Sequence, residues 1–84
     1  MATGYNNVGY TLGELGRHAE ALEHQQKALA LWKELLGEKH PHVATGYNNV
    51  GCTLGDLGRH AEALEHQQKA LALRKELFGE KHPH

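Results

Sequence analysis

Apolar residues recur every three or four positions along four stretches of the chain, and short breaks that contain glycine separate these stretches. The breaks are LGRH at residues 15–18, LGEKHP at residues 36–41 and LGRH again at residues 57–60. Glycine is typical of the residue that stops a helix, and proline of the residue that restarts one. The pattern therefore predicts two A helices, over residues 2–15 and 41–57, and two B helices, over residues 18–36 and 60–78.

The second half of the chain repeats the first. Residues 43–84 reproduce residues 1–42 except at five positions. We therefore predict an all-α fold, an α-solenoid of two tandem helix-turn-helix repeats over residues 1–42 and 43–84, with residues 79–84 as a linker stub. Because the chain ends in the same EKHPH that links its two units, we expect it to be a piece of a longer array. The differing pairs are Met1/Val43, Tyr10/Cys52, Glu14/Asp56, Trp32/Arg74 and Leu36/Phe78.

A helical wheel divides each A helix into two faces. Val8, Gly9 and Leu12 lie within about 60° of Tyr5, and we predict that these residues form the packing face. The opposite face is polar, and we predict that it is exposed or lines a groove. Its residues are Thr3, Asn6, Asn7, Tyr10 and Glu14 in the first copy, and Thr45, Asn48, Asn49, Cys52 and Asp56 in the second.

Glycine in the packing face of helix A indicates a close contact with helix B. Each glycine costs a helix about 1 kcal/mol relative to alanine, so packing must hold helix A together. A glycine at a helix contact removes the side chain that keeps two backbones apart. We therefore expect Gly9 and Gly51 to meet helix B opposite Ala21 and Ala63.

Helix B has a wider apolar face, which predicts packing on two sides. In the last copy this face has lost a neighbour, so we predict that the chain associates with itself, as a dimer or by end-to-end stacking. Arg74, in the place of Trp32, covers part of the patch with its apolar stem. The predicted apolar face in the first copy is Ala21, Leu22, Ala28, Leu29, Leu31, Trp32, Leu35 and Leu36. The predicted self-association face in the second is Leu64, Ala70, Leu71, Arg74, Leu77 and Phe78.

Six spaced residues recur in both copies: Tyr5, Val8, Gly9, Gly16, Ala21 and Ala28, repeated as Tyr47, Val50, Gly51, Gly58, Ala63 and Ala70. This spacing resembles the signature of the tetratricopeptide repeat (TPR), and the resemblance covers the whole chain. The unit of 42 residues is longer than the usual repeat of about 34. It is similar to the longer subclass in kinesin light chains and in NLR-type signalling proteins of fungi and bacteria.

Two positions depart from the TPR pattern. Leu12 and Leu54 stand where a late tyrosine is common, and Gln25 and Gln67 stand where a bulky residue is expected. These departures concern the packing between helices.

The resemblance implies antiparallel helix pairs that stack into a right-handed superhelix, with the A helices lining a concave groove for peptides or partner helices. TPRs that grip acidic chaperone tails hold a terminal carboxylate with Lys and Arg on helix A. Neither A helix here carries Lys or Arg, so we exclude that role. We predict a protein-interaction scaffold whose groove residues are Thr3, Asn6, Tyr10, Glu14, Thr45, Asn48, Cys52 and Asp56.

The composition excludes several classes of partner. A formal net charge of -1 gives no electrostatic attraction to nucleic acid or to an anionic membrane surface. No apolar run approaches the roughly 20 residues of a membrane span, and we recognise no signal peptide. The single cysteine, Cys52, forms no disulfide within the chain and fits a reducing compartment. We therefore predict a cytoplasmic protein that binds protein or peptide.

The residues also argue against catalysis and cofactor binding. The chain has no serine and one aspartate, Asp56, and Tyr10 occupies the position of Cys52 in the first copy. We therefore predict no enzyme activity. His40 and His42 bracket a proline, as His82 and His84 do, but two ligands without a third make a weak metal site. We predict no cofactor and no metal site, with a zinc or nickel contact between molecules as the alternative.

A structural or self-assembling module without a specific ligand is the alternative to groove binding. The five differing positions do not decide between them, because they are divided between the two helices. Tyr10/Cys52 and Glu14/Asp56 lie on the outward face of helix A, whereas Trp32/Arg74 and Leu36/Phe78 lie on helix B.

Overall fold

The computed structural model describes residues 2–79 of the chain. The predicted linker stub beyond Gly79, with His82 and His84, lies outside the described residues. Residues 2–79 contain four α-helices and no strand, which confirms the all-α fold of two helix-turn-helix units. The helices are α1 (Ala2–Glu14), α2 (His18–Leu36), α3 (Pro41–Asp56) and α4 (His60–Phe78).

The turns from α1 to α2 and from α3 to α4 have the same hydrogen bonds. The N–H of Arg17 donates to the carbonyl of Leu12 at 2.8 Å, and the N–H of Gly16 donates to Gly13 at 3.0 Å. This turn requires a positive φ, which Gly16 adopts at 82° without a steric cost. Because the chain turns here, α1 ends at Glu14, one residue before the predicted end, and α3 likewise ends at Asp56.

In the link from α2 to α3, a glycine ends the first helix and a side chain caps the start of the second. Gly37 ends α2, and its N–H donates to the carbonyl of Lys33 at 3.1 Å. His40 is the N-cap of α3: its Nδ1 accepts the N–H of His42 at 3.1 Å. Pro41 occupies the first helical position, where no N–H is needed. These local interactions account for the break between the two repeats.

The packing glycines of the A helices make the close contacts that the sequence predicts, with one difference. A Cβ atom on Gly51 would lie 3.1 Å from the carbonyl oxygen of Ala63 and 2.8 Å from Cγ of Gln67. The glycine thus faces the backbone of Ala63 and the stem of Gln67. The methyl group of Ala63 instead lies 3.9 Å from the Cβ position of Gly55. Ala63 is therefore the expected neighbour, but two glycines share it.

Helix α2 packs on α1 within its own repeat and also on α3 of the next repeat. Since α2 lies between two helices, most of the larger side chains of the core come from α2 and α3, and Leu73 comes from α4. The buried core consists of Ala2, Leu22, Ala28, Leu29, Trp32, Val43, Ala44, Val50, Leu54, Ala63 and Leu73.

Three residues of the predicted packing faces are exposed. Val8 is 47% exposed, whereas its counterpart Val50 is fully buried. The reason is that α2 covers this face of α3, and no helix of the described residues covers the same face of α1. Leu35 and Leu36, at the end of α2, are also exposed, because the turn at Gly37 carries the chain away from them.

The predicted self-association face needs one correction. Ala70 is buried, at 2% exposure, because α4 packs on α3 at this position. It therefore cannot lie on an exposed face. Leu77 is half-buried against the core. The other four residues of the set, Leu64, Leu71, Arg74 and Phe78, are exposed.

Candidate protein-interaction groove

A hydrogen bond joins α1 and α3, the two helices predicted to line a groove. Nδ2 of Asn49 donates to Oδ1 of Asn6 at 2.9 Å, in a partly buried position. Beside this bond, α1 and α3 enclose a surface cavity of about 320 Å³, and Gln25 of α2 forms part of its lining. The cavity is lined by Tyr10, Gly13, Glu14, Gln25, Asn49, Cys52, Thr53 and Asp56.

The structure brings together half of the predicted groove residues. Tyr10 and Glu14 line the cavity from α1, and Cys52 and Asp56 line it from α3. These are also the two pairs of groove positions at which the repeats differ in sequence. The other predicted residues do not line the cavity: Thr3 and Asn6 on α1, and Thr45 and Asn48 on α3.

The cavity also contains two buried polar residues that the sequence did not predict as part of the site. The hydroxyl group of Thr53 donates a hydrogen bond to Oε1 of Gln25 at 2.5 Å. Gln25 is 7% exposed and Thr53 is 5% exposed. The signal in the sequence was Gln25 itself, a polar residue where a TPR has a bulky one. Such a residue, when buried, needs a hydrogen-bonding partner on a neighbouring helix.

One end of the cavity is negatively charged. Glu14 and Asp56 are the last residues of α1 and α3, where the helix dipoles add negative potential. Nδ1 of His18 lies 3.8 Å from Oδ2 of Asp56. Neither α1 nor α3 contains Lys or Arg. This end of the cavity therefore favours a cationic or hydrogen-bond-donating group.

Arg17 and Arg59, the N-cap residues of α2 and α4, are held by carboxylates in the first turns of these helices. Nε and Nη2 of Arg17 donate to Oε1 and Oε2 of Glu20, both at 2.6 Å. Arg59 makes the same pair with Glu62. These donated hydrogen bonds lower the pKa of each glutamate below its ordinary value. The two arginines therefore do not neutralise Glu14 and Asp56.

Metal ligands do not converge within residues 2–79: no three His, Cys, Asp or Glu side chains there are placed to hold an ion. The rings of His40 and His42 lie 4.9 Å apart, but Nδ1 of His40 is used to cap α3. Across the same part of the chain, no helix combines the length and the apolar character needed to cross a membrane.

Comparison with known families agrees with the helix pairs and the spaced glycines and alanines. A model of the tetratricopeptide repeat family matches residues 1–76. The chain belongs to the tetratricopeptide repeat family. No curated protein matches the chain. TPRs in general mediate contacts between proteins and are non-catalytic scaffold domains, so this TPR chain is a protein-interaction repeat module.

Proposed function

We propose that this TPR chain binds a segment of another protein, as an extended peptide or a helix, in the groove between α1 and α3. The observation that carries the proposal is the cavity of about 320 Å³ beside the bond between Asn6 and Asn49. It presents exposed side chains from both helices, among them Tyr10, which is 65% exposed. Thr3, Thr45 and Asn48 extend the proposed surface along the same two helices.

The chemistry of the groove favours a neutral or mildly basic segment. Tyr10 offers a large amphipathic contact, and aromatic residues carry much of the binding energy at interfaces. Glu14 and Asp56 offer acceptors for a lysine or arginine side chain at the negative end of the cavity. An acidic segment would be repelled there, since neither groove helix carries a positive charge. We place this function in the cytoplasm, because the exposed Cys52 is a free thiol.

A phage-displayed library of random peptides, selected on the full chain, tests the proposal. The selected peptides should be rich in lysine or arginine. Their affinity should fall by about tenfold or more on Tyr10→Ala or Asp56→Asn, since each tenfold step is about 1.4 kcal/mol. Leu35→Ala and Glu34→Gln are matched controls on exposed positions of α2 and should leave the affinity unchanged. Peptides that bind all four variants equally would show that the groove is not the binding surface.

Self-assembly is a second candidate function, and a separate observation favours it. Leu64 and Leu71 on α4 are both 56% exposed, although their counterparts on α2 are buried. Exposed leucines two turns apart on one helix face are a feature of contact sites between proteins. Sedimentation of the chain at increasing concentration tests this candidate, and a single 9.3 kDa species throughout would exclude it.

A further inference from the structure

The same helix face occurs twice in the chain: on α2 it is covered by another helix, and on α4 it is exposed. Within the chain, the face of α2 formed by Leu22, Leu29 and Trp32 is buried, and α3 packs against α2. The equivalent face of α4 is exposed in the described residues. It consists of Leu64, Leu71 and Arg74, each 42 positions after its counterpart on α2.

The other half of the interface is also present twice. Gly46, Val50 and Thr53 form the face of α3 that α2 covers, and all three are buried. A Cβ atom on Gly46 would lie 2.9 Å from Cδ1 of Leu29 and 3.4 Å from Cε3 of Trp32. Leu29 thus fills a slot that the absence of a side chain at Gly46 creates.

On α1 the same slot is open. Its residues are Gly4, Val8 and Thr11, and all three are exposed. A Cβ atom on Gly4 would meet nothing within 4 Å. Instead, a cavity of about 410 Å³ lies there, lined by Gly4, Tyr5, Val8 and His24.

Polar contacts across the internal interface have unused counterparts as well. Gln25 accepts the hydrogen bond of Thr53 inside the chain, and the equivalent pair is Gln67 and Thr11, both exposed. Nζ of Lys33 lies 5.4 Å from the centre of the Tyr47 ring. The equivalent pair is Lys75 on α4 and Tyr5 on α1. Apart from Arg74 in the place of Trp32, the apolar and polar positions therefore match in one register.

We propose that α4 of one copy docks on α1 of a second copy in the geometry by which α2 docks on α3. Leu71 then fills the slot at Gly4 and Val8, and Gln67 accepts a hydrogen bond from Thr11 of the second copy. This proposal specifies the interface through which the chain self-assembles, and it rests on the self-assembly candidate. Since the two halves lie on different helices, the contact is heterologous, and copies add head to tail into open stacks.

Arg74 makes this contact weaker than the internal one. Trp32, its counterpart, packs on Gly46, and its ring lies 5.3 Å from the ring of His42 at an angle of 36°. The stem of Arg74 can cover apolar surface while its guanidinium stays in water, but it covers less surface than an indole ring. Stacking is therefore concentration-dependent, and Arg74→Trp should raise the association constant by about tenfold or more.

Two complementary variants test the direction of docking by sedimentation. Gly4→Leu fills the slot and leaves the α4 face intact, and the open space around Gly4 accepts the side chain. Leu71→Glu places a charge in the apolar face of α4 and leaves the slot on α1 intact. We expect each variant alone to be monomeric and an equal mixture of the two to form a heterodimer. Leu35→Glu, a control at an exposed leucine of α2 outside both halves, should associate like the unchanged chain.

Several outcomes would overturn the proposal. Association of Gly4→Leu alone would show that α4 faces meet each other, and a monomeric mixture would show that the two halves do not fit. Circular dichroism of each variant verifies that it remains folded. If the unchanged chain never associates, both this interface and the self-assembly candidate fail. Groove binding is tested separately with peptides and would be unaffected.

Discussion

The hydroxyl group of Thr53 donates a hydrogen bond to the side-chain carbonyl of Gln25 at 2.5 Å, across the boundary between the two repeats. Both residues are buried, so neither can exchange this bond for one to bulk water. Where a TPR has a bulky residue inside helix B, this chain thus has a polar pair. Such a pair ties α2 to α3 in one register, because a shift would leave both groups without a partner.

Replacing Thr53 by valine should destabilise the chain by about 1–3 kcal/mol, because Gln25 loses its hydrogen-bond donor while remaining buried. Chemical denaturation in urea measures the change, at low protein concentration because Thr11 also lies in the proposed docking interface. Thr11→Val is the matched control: Thr11 has the same place in the first repeat but is exposed, so the expected change is within about 0.5 kcal/mol. Equal effects at the two positions would contradict the role of this bond. Adding Gln25→Leu to Thr53→Val should restore most of the loss.

Gly51→Leu should overpack the contact between α3 and α4 at a cost of about 1–3 kcal/mol. A side chain there meets the carbonyl oxygen of Ala63, which is backbone and cannot move aside easily. Gly4→Leu is the control, since nothing lies within 4 Å of its Cβ position. Both denaturation midpoints are measured at low protein concentration, because Gly4 also lies in the proposed docking slot. An unchanged midpoint for Gly51→Leu would refute the packing role.

The local features of the fold could be predicted from the sequence because they depend on neighbouring residues. Gly16 and Gly58 adopt the positive φ that a helix stop requires, as their positions indicated. Burial depends instead on what lies next to a helix in space. Val8 and Val50 have nearly identical sequence neighbours, yet only Val50 is covered, since α2 precedes α3 in the stack. A helical wheel treats the two valines alike and therefore misplaced Val8.

The same limit applies to the candidate groove. A wheel identifies residues that share one face of one helix, and it correctly grouped Tyr10 with Glu14 and Cys52 with Asp56. It could not show that Gln25 of α2 reaches the same cavity, because this depends on the distance between helices. Whether these residues bind a partner stays a prediction.

Acid should weaken the chain partly through two surface ion pairs. The hydrogen bonds from Arg17 and Arg59 lower the pKa of Glu20 and Glu62 below the ordinary value of 4.5 in the folded state. A lowered pKa gives stability that is present above the unfolded value and is lost as the pH falls through the folded value. The double variant Glu20→Gln with Glu62→Gln should therefore lose less stability on acidification than the unchanged chain.

Thermal melts from neutral pH to below the pKa of the two glutamates measure this difference. Added salt should reduce it, because both pairs are exposed and solvent screens them. The control is Glu23→Gln with Glu65→Gln, a pair of exposed glutamates of α2 and α4 with the same charge change. A control that behaves like the Glu20 and Glu62 variant would mean that net charge, not these ion pairs, causes the acid sensitivity.

The bond between Asn49 and Asn6 should hold the two groove helices together. Asn49 is half-buried, and its amide donates to Asn6 at 2.9 Å, whereas Asn7, the counterpart of Asn49 in the first repeat, is exposed. Replacing asparagine by alanine in a helix changes intrinsic helix propensity by the same amount at both positions, up to about 0.7 kcal/mol. The difference in stability between Asn49→Ala and Asn7→Ala therefore isolates the contribution of the hydrogen bond.

We expect Asn49→Ala to be less stable than Asn7→Ala by about 0.5–1.5 kcal/mol, the usual net value of one hydrogen bond. A double-mutant cycle with Asn6→Ala, measured by urea denaturation, should give a coupling energy of the same size, because the two residues contact each other directly. A coupling energy near zero would mean that the two helices are held by packing alone. If the coupling is found, Asn49→Ala should also weaken peptides selected on the groove, since the bond fixes the separation of the helices from which Tyr10 and Asp56 extend.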